Sequence, residues 1–585
     1  MPTLRTLLRP AVLWPALLLL IVALYLLGLG GPYAPTNGDE MVYIHIARMT
    51  SASGHWLPLQ SELIGTRNTK PPLLIWQAIL ASDWGRHWNL LALRLPSILY
   101  TFASTALVGF FAWRFSARLR SACLAASLYL LYFSTFRYGR VYLTSAPETF
   151  WLALPMWWLL WQRLGPQRDM RLQIDWRTYT WFGIVLGLGA AYKSFALLAP
   201  AGAAFWCAYL LGEKRWHWPT VWRCSAGTAW SVLLGLAIFA LWFLLDPDPA
   251  AVWQEFVVAE NAGKMNTSQG YWQAALYGTY PMWTQLLAYP VNAGLLALNT
   301  LGFCWWALRQ SVLTRWVRQL SSAHWVLLAW LLVWLIVFTI PSQRSERYVI
   351  PAMPALAIAM ALVWERIPRI WSLASLLIAA PALLVLARIA WVIGGMDVGS
   401  ALDAGGAVLV CGAGLLAIVL GLARAAWTRN ASLLACLAVY ACFALMVAPL
   451  SDPQSDFSSS VQQQLQGKRI AVPNGFTGQY ENYHFVFPGP AVAIYPYDAE
   501  GRNTGERYPD LPPDARLQRL LGEFDAVVWL QDSASQSAPS CLPACRLLAQ
   551  RWHVRSRHKA GEITLDNLWY PQQWLFNREW LITKP

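Results

Sequence analysis

The sequence predicts a polytopic α-helical membrane protein that ends in a soluble α/β domain. Two observations carry that prediction. Of the 585 residues, 57% are apolar and 13% charged, about half the charged share of soluble globular proteins; this excludes a disordered chain and an ordinary soluble enzyme. The apolar runs recur from Thr3 to about Leu450 and stop after Ser451. The 36 tryptophans suit the same class, because indole rings gather where membrane meets water. Nine cysteines in this length do not make a disulfide scaffold.

A helix needs roughly 20 apolar residues to cross the hydrocarbon core. The segments that qualify lie near 11–31, 91–113, 121–137, 147–164, 179–192, 194–212, 224–245, 284–308, 322–340, 347–364, 370–394, 404–423 and 431–450, thirteen in all. The first lacks a small-residue cleavage site and is followed by further spans, so it reads as a retained anchor. Charge orients the set. Residues 1–451 hold 31 basic and 16 acidic groups, and 19 of the basic ones fall in alternate, mostly short loops if the N-terminus is cytoplasmic. The positive-inside rule favours that orientation. Topology thus explains most of the basic balance, which does not point to nucleic acid. Thirteen spans then put the tail, 452–585, outside, with a nearly neutral 13 basic and 14 acidic residues.

The tail reads as a small α/β domain. Strand-like runs lie at Arg469–Val472, Tyr483–Phe487, Ala491–Tyr495 and Ala526–Leu530, and helical stretches at Asp514–Glu523 and Cys541–Arg551. Cys541 and Cys545 stand four apart and can form a local disulfide in an oxidising compartment.

Twelve basic residues of the membrane part are not explained by topology: Arg48, Arg67, Lys70, Arg86, Arg94, Arg137, Arg140, Lys193, Lys264, Arg344, Arg347 and Arg388. Ionisable groups at a membrane boundary are costly unless paired or wet, so they are functional candidates. Cations beside a lipid-facing cavity suit an anionic headgroup, a phosphate above all. The first external loop, 32–90, carries Asp39-Glu40-Met41-Val42-Tyr43 directly after the first helix. A carboxylate there can act as a general base; Asp39 would equally cap the helix that follows. Thr69-Lys70-Pro71-Pro72 stiffens the entry to an amphipathic helix and leaves Lys70 in front of it, where it either meets a phosphate or snorkels. Arg344 and Arg347, three apart, would share a helix face and clamp a phosphate or pair with Glu346. His45 reads as an interfacial residue rather than a metal ligand. Glu260 and Asn261 lie in the external loop 246–283, which reads mainly as a solvated connector within reach of a sugar or a divalent ion. No nucleotide-binding glycine loop is present.

These motifs resemble those of the GT-C class of membrane glycosyltransferases, in particular the group of the 4-amino-4-deoxy-L-arabinose transferases of lipid A and the protein O-mannosyltransferases. The resemblance rests on Asp39-Glu40 with Tyr43, on Lys70-Pro71-Pro72, on Lys193-Ser194 and on Arg347-Tyr348-Val349-Ile350-Pro351-Ala352-Met353-Pro354. It implies the GT-C fold of about thirteen helices over 1–451 and an external C-terminal domain over 452–585. It implies an inverting transfer of a sugar from a polyprenyl (undecaprenyl) phosphate donor to a lipid or glycan acceptor such as lipid A, at the periplasmic face of the bacterial inner membrane. Asp39, Glu40 and Glu148 are the expected catalytic acids. Lys70, Arg347, Arg344 and Lys193 are the expected phosphate ligands, and Tyr43, Tyr348 and Arg140 the expected substrate contacts. Two positions depart from the family pattern. Thr69 stands where an acid usually precedes the Lys-Pro pair, which leaves a divalent metal site open. Ser145 stands where an Asp opens the fourth helix, with Glu148 one turn on as the substitute. The competing class is a polyprenyl-lipid transporter or flippase; the candidate polar groups cluster at the external helix ends rather than at the midplane where transporters bind.

Overall fold

The computed structural model describes residues 10–31, 38–62, 65–165, 172–213, 217–265, 270–314, 320–396, 401–451, 457–473, 479–489, 491–494, 511–531, 545–554 and 560–585. The apolar segments fall on helical residues, several of them on more than one helix. Among the described residues seven helices are by themselves long and apolar enough to cross a membrane, including Leu90–Ser116, Trp218–Leu245 and Arg369–Gly394; the chain is a multi-pass membrane protein.

Local chemistry sets the helix ends that matter for the site. Asn89 caps Leu90–Ser116 by accepting from the Leu91 amide at 2.8 Å. Pro71 and Pro72 open Pro72–Ala81, where a missing amide costs nothing because first-turn amides lack helical partners. The segment expected at 121–137 is two helices, Leu119–Leu131 and Phe133–Tyr138, broken at an extended Tyr132. Trp176–Ala190 stops short, and Ser194 starts the next helical turn by accepting from the Ala196 amide. Lys193 therefore sits in a turn between two helices rather than on either. Trp176–Ala190 packs tightly on Trp218–Leu245 through glycines: a Cβ on Gly187 would come within 2.8 Å of Ile238.

The tail holds a five-stranded mixed sheet, β1 (Arg469–Val472), β2 (Ala491–Ile494), β3 (Ala526–Gln531), β4 (Arg546–Val554) and β5 (Phe576–Thr583), in the order β2-β1-β3-β5-β4. β2, β1 and β3 run parallel; β5 pairs antiparallel with β3 and β4. Alternate residues serve opposite faces. Ile470, Val472, Val528 and Leu581 meet Tyr480, Tyr483 and Phe487 on one side; Ala471, Val527 and Ile582 meet Leu517, Leu520 and Phe524 of helix Pro513–Glu523 on the other.

Two expectations for the tail are corrected. Tyr483–Phe487 is not a strand: Asn482–Val486 is a helix whose Tyr483 and Val486, three apart, share the face buried on the sheet. Arg546–Arg551 lies on strand β4, not a helix; its helix-favouring Leu, Ala and Gln residues yield to pairing with β5. Cys545 is disulfide-bonded, and Cys541 lies outside the described residues.

Candidate active site

Helix Gly38–Ala52 has Asp39 and Glu40 in its first turn. Successive residues of a helix point about 100° apart, so the two carboxylates cannot serve one point. Asp39 turns toward the late motif and pairs with Arg347 at 3.1 Å. Tyr43 lies one turn further along the same face. Lys70 lies 5.9 Å from the Tyr43 ring centroid. Its ammonium donates to the Thr69 carbonyl at 2.6 Å and to Glu260 at 3.2 Å. Glu260 is carried by the π-helical segment Trp253–Asn261.

The Arg347 guanidinium lies 4.5 Å from the Tyr138 ring centroid. Lys193, released by the helix break, pairs with Glu148 at 2.8 Å and lies 6.0 Å from the Tyr348 ring centroid. The other Glu148 oxygen is buried with no hydrogen-bond partner among the described residues. Glu148 also feels the charges of Arg347 and Lys70, and Tyr43 those of Asp39, Arg347, Glu260 and Glu148. One site thus gathers three cations (Lys70, Lys193, Arg347) and three carboxylates (Asp39, Glu148, Glu260). Burial, and then the negative field of Asp39, push the Tyr43 phenol well above its ordinary range, so it stays a hydrogen-bond donor. Burial pulls the Lys193 ammonium down from the usual lysine range, and Glu148 opposes that.

Beside these groups opens a cavity of about 350 Å³. Lys70, Lys193, Ser194, Glu260, Asn261 and Tyr348 give it a polar end; Phe195, Phe256 and Phe338 give it an apolar wall. Ser194 donates to the Asn261 side chain at 2.9 Å, which ties the Lys193 turn to the π-helical segment. A space with cations at one end and rings along the other suits an amphiphile with an anionic head.

Of the residues expected from sequence, Asp39, Tyr43, Lys70, Glu148, Lys193, Arg347 and Tyr348 come together. Three do not. Glu40 is fully buried and bound in two directions, by Arg94 at 2.8 and 3.0 Å and by the Tyr142 amide at 2.8 Å. Arg140 is buried under the first helix, Pro10–Leu26, donating to the carbonyls of Tyr25 and Leu27; it satisfies a helix C-terminus instead of touching the cavity. Arg344 folds back on the carbonyls of Thr339, Ser342 and Tyr280. It precedes the 3₁₀ helix Glu346–Ala352 that carries Arg347, so the two arginines share no face.

Several of the other basic residues that topology does not explain are structural ties: Arg48 to Glu481, Arg67 to Asp248 and Glu255, and Arg388 to the Trp569 carbonyl. The Lys264 side chain lies outside the described residues. His45 is not interfacial but buried, against Glu481 and Tyr480. Sequence reasoning undervalued Glu260 and missed Tyr138. The signal for Glu260 was its setting: an acid and an amide side by side after the apolar Phe256-Val257-Val258-Ala259. Among the described residues no group of three or more His, Cys, Asp or Glu side chains is arranged to hold a metal ion.

Residues 33–248 match the dolichyl-phosphate-mannose-protein mannosyltransferase family. The chain is 27% identical over 357 residues to the undecaprenyl phosphate-alpha-4-amino-4-deoxy-L-arabinose arabinosyl transferase 1 of Sodalis glossinidius, across 60% of this chain and 59% of that protein. It is 25% identical over 358 residues to the corresponding transferase of Pectobacterium carotovorum, across 59% of this chain and 58% of that protein. The chain thus spans about three-fifths of the length of the curated relatives it matches. In fold it is similar to ArnT from Cupriavidus metallidurans, solved bound to undecaprenyl phosphate: TM-score 0.60 and 14% identity, over 97% of both chains. The apo structure of that protein gives a TM-score of 0.56. By its motifs, by these relatives and by its fold, the chain resembles the GT-C class membrane glycosyltransferases of the aminoarabinose transferase and protein O-mannosyltransferase group.

Proposed function

We propose that this protein is an inverting glycosyltransferase that moves a sugar from a polyprenyl phosphate donor, undecaprenyl phosphate in bacteria, to an envelope acceptor such as lipid A. The observation that carries the reading is the gathering of Asp39 with Lys70, Lys193 and Arg347 beside a cavity whose far wall is aromatic. The donor's phosphate lies among the three cations and its prenyl chain along Phe195, Phe256 and Phe338. The acceptor oxygen attacks the anomeric carbon as the bond from that carbon to the phosphate oxygen breaks; the polyprenyl phosphate leaves with the electron pair. Asp39 takes the acceptor's proton when the acceptor is a hydroxyl, and orients it when it is an ionised phosphate. The cations stabilise the charge that gathers on the leaving phosphate. Glu148 holds Lys193 in place through their ion pair, and Tyr43 donates within the same cluster.

In this reading residues 1–451 form the membrane-embedded transferase with thirteen spans and a cytoplasmic N-terminus. Residues 452–585 form a periplasmic domain, and the membrane is the bacterial inner membrane. The test is the Asp39→Asn variant, assayed for sugar release from a polyprenyl-phosphate sugar and for binding of the same lipid. Transfer is expected to vanish while donor binding persists. Near-normal turnover would remove Asp39 from the chemistry, and wild-type movement of the lipid across vesicles without sugar release would make the protein a transporter instead.

A further inference from the structure

Arg388 lies inside the apolar helix Arg369–Gly394, and the transfer reading gives it no part. Its guanidinium reaches the tail: it donates to the Trp569 carbonyl at 2.9 Å and lies 4.8 Å from the Trp569 ring centroid. Trp569 closes the short helix Leu565–Trp569, which Thr564 caps by accepting from the Asn567 amide at 3.2 Å. The depth of this contact follows from the membrane helix. Arg369–Gly394 opens among basic residues: Arg369 donates to the Thr428 hydroxyl at 2.9 Å, and Arg429 to the Ile367 carbonyl at 2.9 and 2.6 Å. That basic rim marks one membrane surface. Arg388 comes 19 residues after Arg369, about 28 Å along the axis, and the hydrocarbon core is about 30 Å thick. Trp569 therefore stands where acyl chains meet headgroups on the tail's side, not in the water above.

The side chains at this level are apolar and bare. Leu565 and Trp569, four apart, share one face of their helix and are 86% and 60% exposed; Ile563 and Tyr570 on either side are exposed too. On the membrane helix, Trp391 lies one turn on from Arg388 and is 71% exposed. It ends a stripe of exposed apolar residues at seven-residue spacing, Leu377, Leu384 and Trp391. Single apolar side chains on a surface need no explanation, but a patch that continues a lipid-facing stripe marks an interaction site. Its occupant follows from that continuity: the stripe needs lipid, and the same lipid phase reaches the tail segment beside it. Trp and Tyr are the residue types that settle at such a boundary. Glu562 and Asp566 in the same stretch keep it from sinking further, because a carboxylate is costly in hydrocarbon.

We propose that residues 563–570 are an interfacial anchor that seats the tail in the bilayer, with the upper acyl chains of lipids in the leaflet on the tail's side as its partner. Arg388 fixes the segment at that depth through the Trp569 carbonyl and ring. The anchor holds whichever reaction the cationic cavity performs. The experiment uses the full-length protein in nanodiscs of phosphatidylethanolamine and phosphatidylglycerol, doped with a phosphatidylcholine whose acyl chain carries a diazirine near its carbonyl end. Labelled peptides are mapped by mass spectrometry. Residues 563–570 are expected to label as strongly as 388–394. Helix Pro513–Glu523, whose apolar face is covered by the sheet, is expected to stay unlabelled. Labelling of 563–570 no stronger than that of Pro513–Glu523 would overturn the anchor, and this wild-type comparison needs no variant to fold. Weak labelling in particles that hold two copies of the chain would overturn it in favour of a protein interface. Leu565→Glu should lower labelling of the segment about tenfold, the size of withdrawing one leucine side chain from an apolar phase, and leave 388–394 labelled as in the wild type. Unchanged labelling of the segment in that variant would show that the probe reports proximity to lipid and not insertion.

Discussion

Lys70 joins the cationic cavity to its surroundings through three contacts: the Thr69 carbonyl, Glu260 and the Tyr43 ring. In sequence it could be a snorkelling lysine, because a stiff Pro-Pro entry to an interfacial helix suits either role. The structure places its ammonium inward, with the side chain 15% exposed. A snorkelling lysine keeps its charge in water, whereas this one gives it to a carboxylate inside a cavity. Glu260 holds the Lys70 ammonium, so in the proposed reading donor binding exchanges one anion on Lys70 for another. Lys70→Ala should therefore weaken donor affinity and slow transfer. Loss of one preorganised electrostatic stabiliser costs about 3–4 kcal/mol at the transition state, roughly a factor of 10² to 10³ in rate. Single-turnover kinetics with a polyprenyl-phosphate sugar, together with lipid binding, would measure both effects; unchanged values would return Lys70 to a structural role.

Helix Gly38–Ala52 shows how two neighbouring acids part company at the scale of one element. Asp39 faces Arg347, while Glu40 faces Arg94, which also donates to the Leu29 carbonyl at 2.9 Å. Glu40 and Arg94 thus bolt the start of this helix to Leu90–Ser116 and to the turn after the first helix. Removing one partner of a buried ion pair costs about 3–5 kcal/mol, because the other charge is left buried and alone. Glu40→Ala should lower thermal stability and yield by that order. Adding Arg94→Met should recover part of the loss, and the folded fraction should keep its donor affinity. Melting curves in detergent and donor-binding titrations read these outcomes; full stability with abolished transfer would instead put Glu40 into the chemistry. The same helix marks what was legible in sequence. That a helix follows Asp39, that another follows Pro71-Pro72 and that Lys193 interrupts an apolar run are local facts, written in residue type and spacing. Which of two adjacent acids joins the cationic cluster depends on Arg94 and Arg347, 54 and 308 residues away. Arg344 was misread for a related reason: a shared helix face was inferred for a segment whose first half is not helical. Strand β4 was misread because its partner, β5, comes later in the chain and was not itself recognised.

Across the whole molecule, two contacts among the described residues fasten the tail to the membrane part. Ile389, Ile393, Met446 and Leu450 pack with Leu575 and Phe576. At the other, Glu481 reaches helix Gly38–Ala52, the helix that carries Asp39. It accepts from Arg48 at 2.6 and 3.0 Å and meets His45 at 3.2 Å, with the Tyr480 hydroxyl 3.1 Å from the same imidazole. Burial works against the Glu481 charge, but hydrogen bonds from His45 and Arg48, and then the charges of His484 and Arg48, win; its carboxyl lies below the ordinary value of 4.5. A carboxyl depressed on folding contributes stability that is fully present above its unfolded range and is lost as pH falls through the folded value. Wild-type melting temperature should therefore hold from neutral pH into the mildly acidic range and then fall as Glu481 protonates. Glu481→Gln should melt lower at neutral pH, and its curve should converge with that of the wild type in acid, where both carry an uncharged side chain at this position. Arg48→Met should likewise remove much of the acid-sensitive part, because Arg48 makes two of the hydrogen bonds that hold the carboxylate charged. Wild-type and Glu481→Gln curves that stay parallel at every pH would show that the ionised carboxylate is not what fastens the tail to helix Gly38–Ala52.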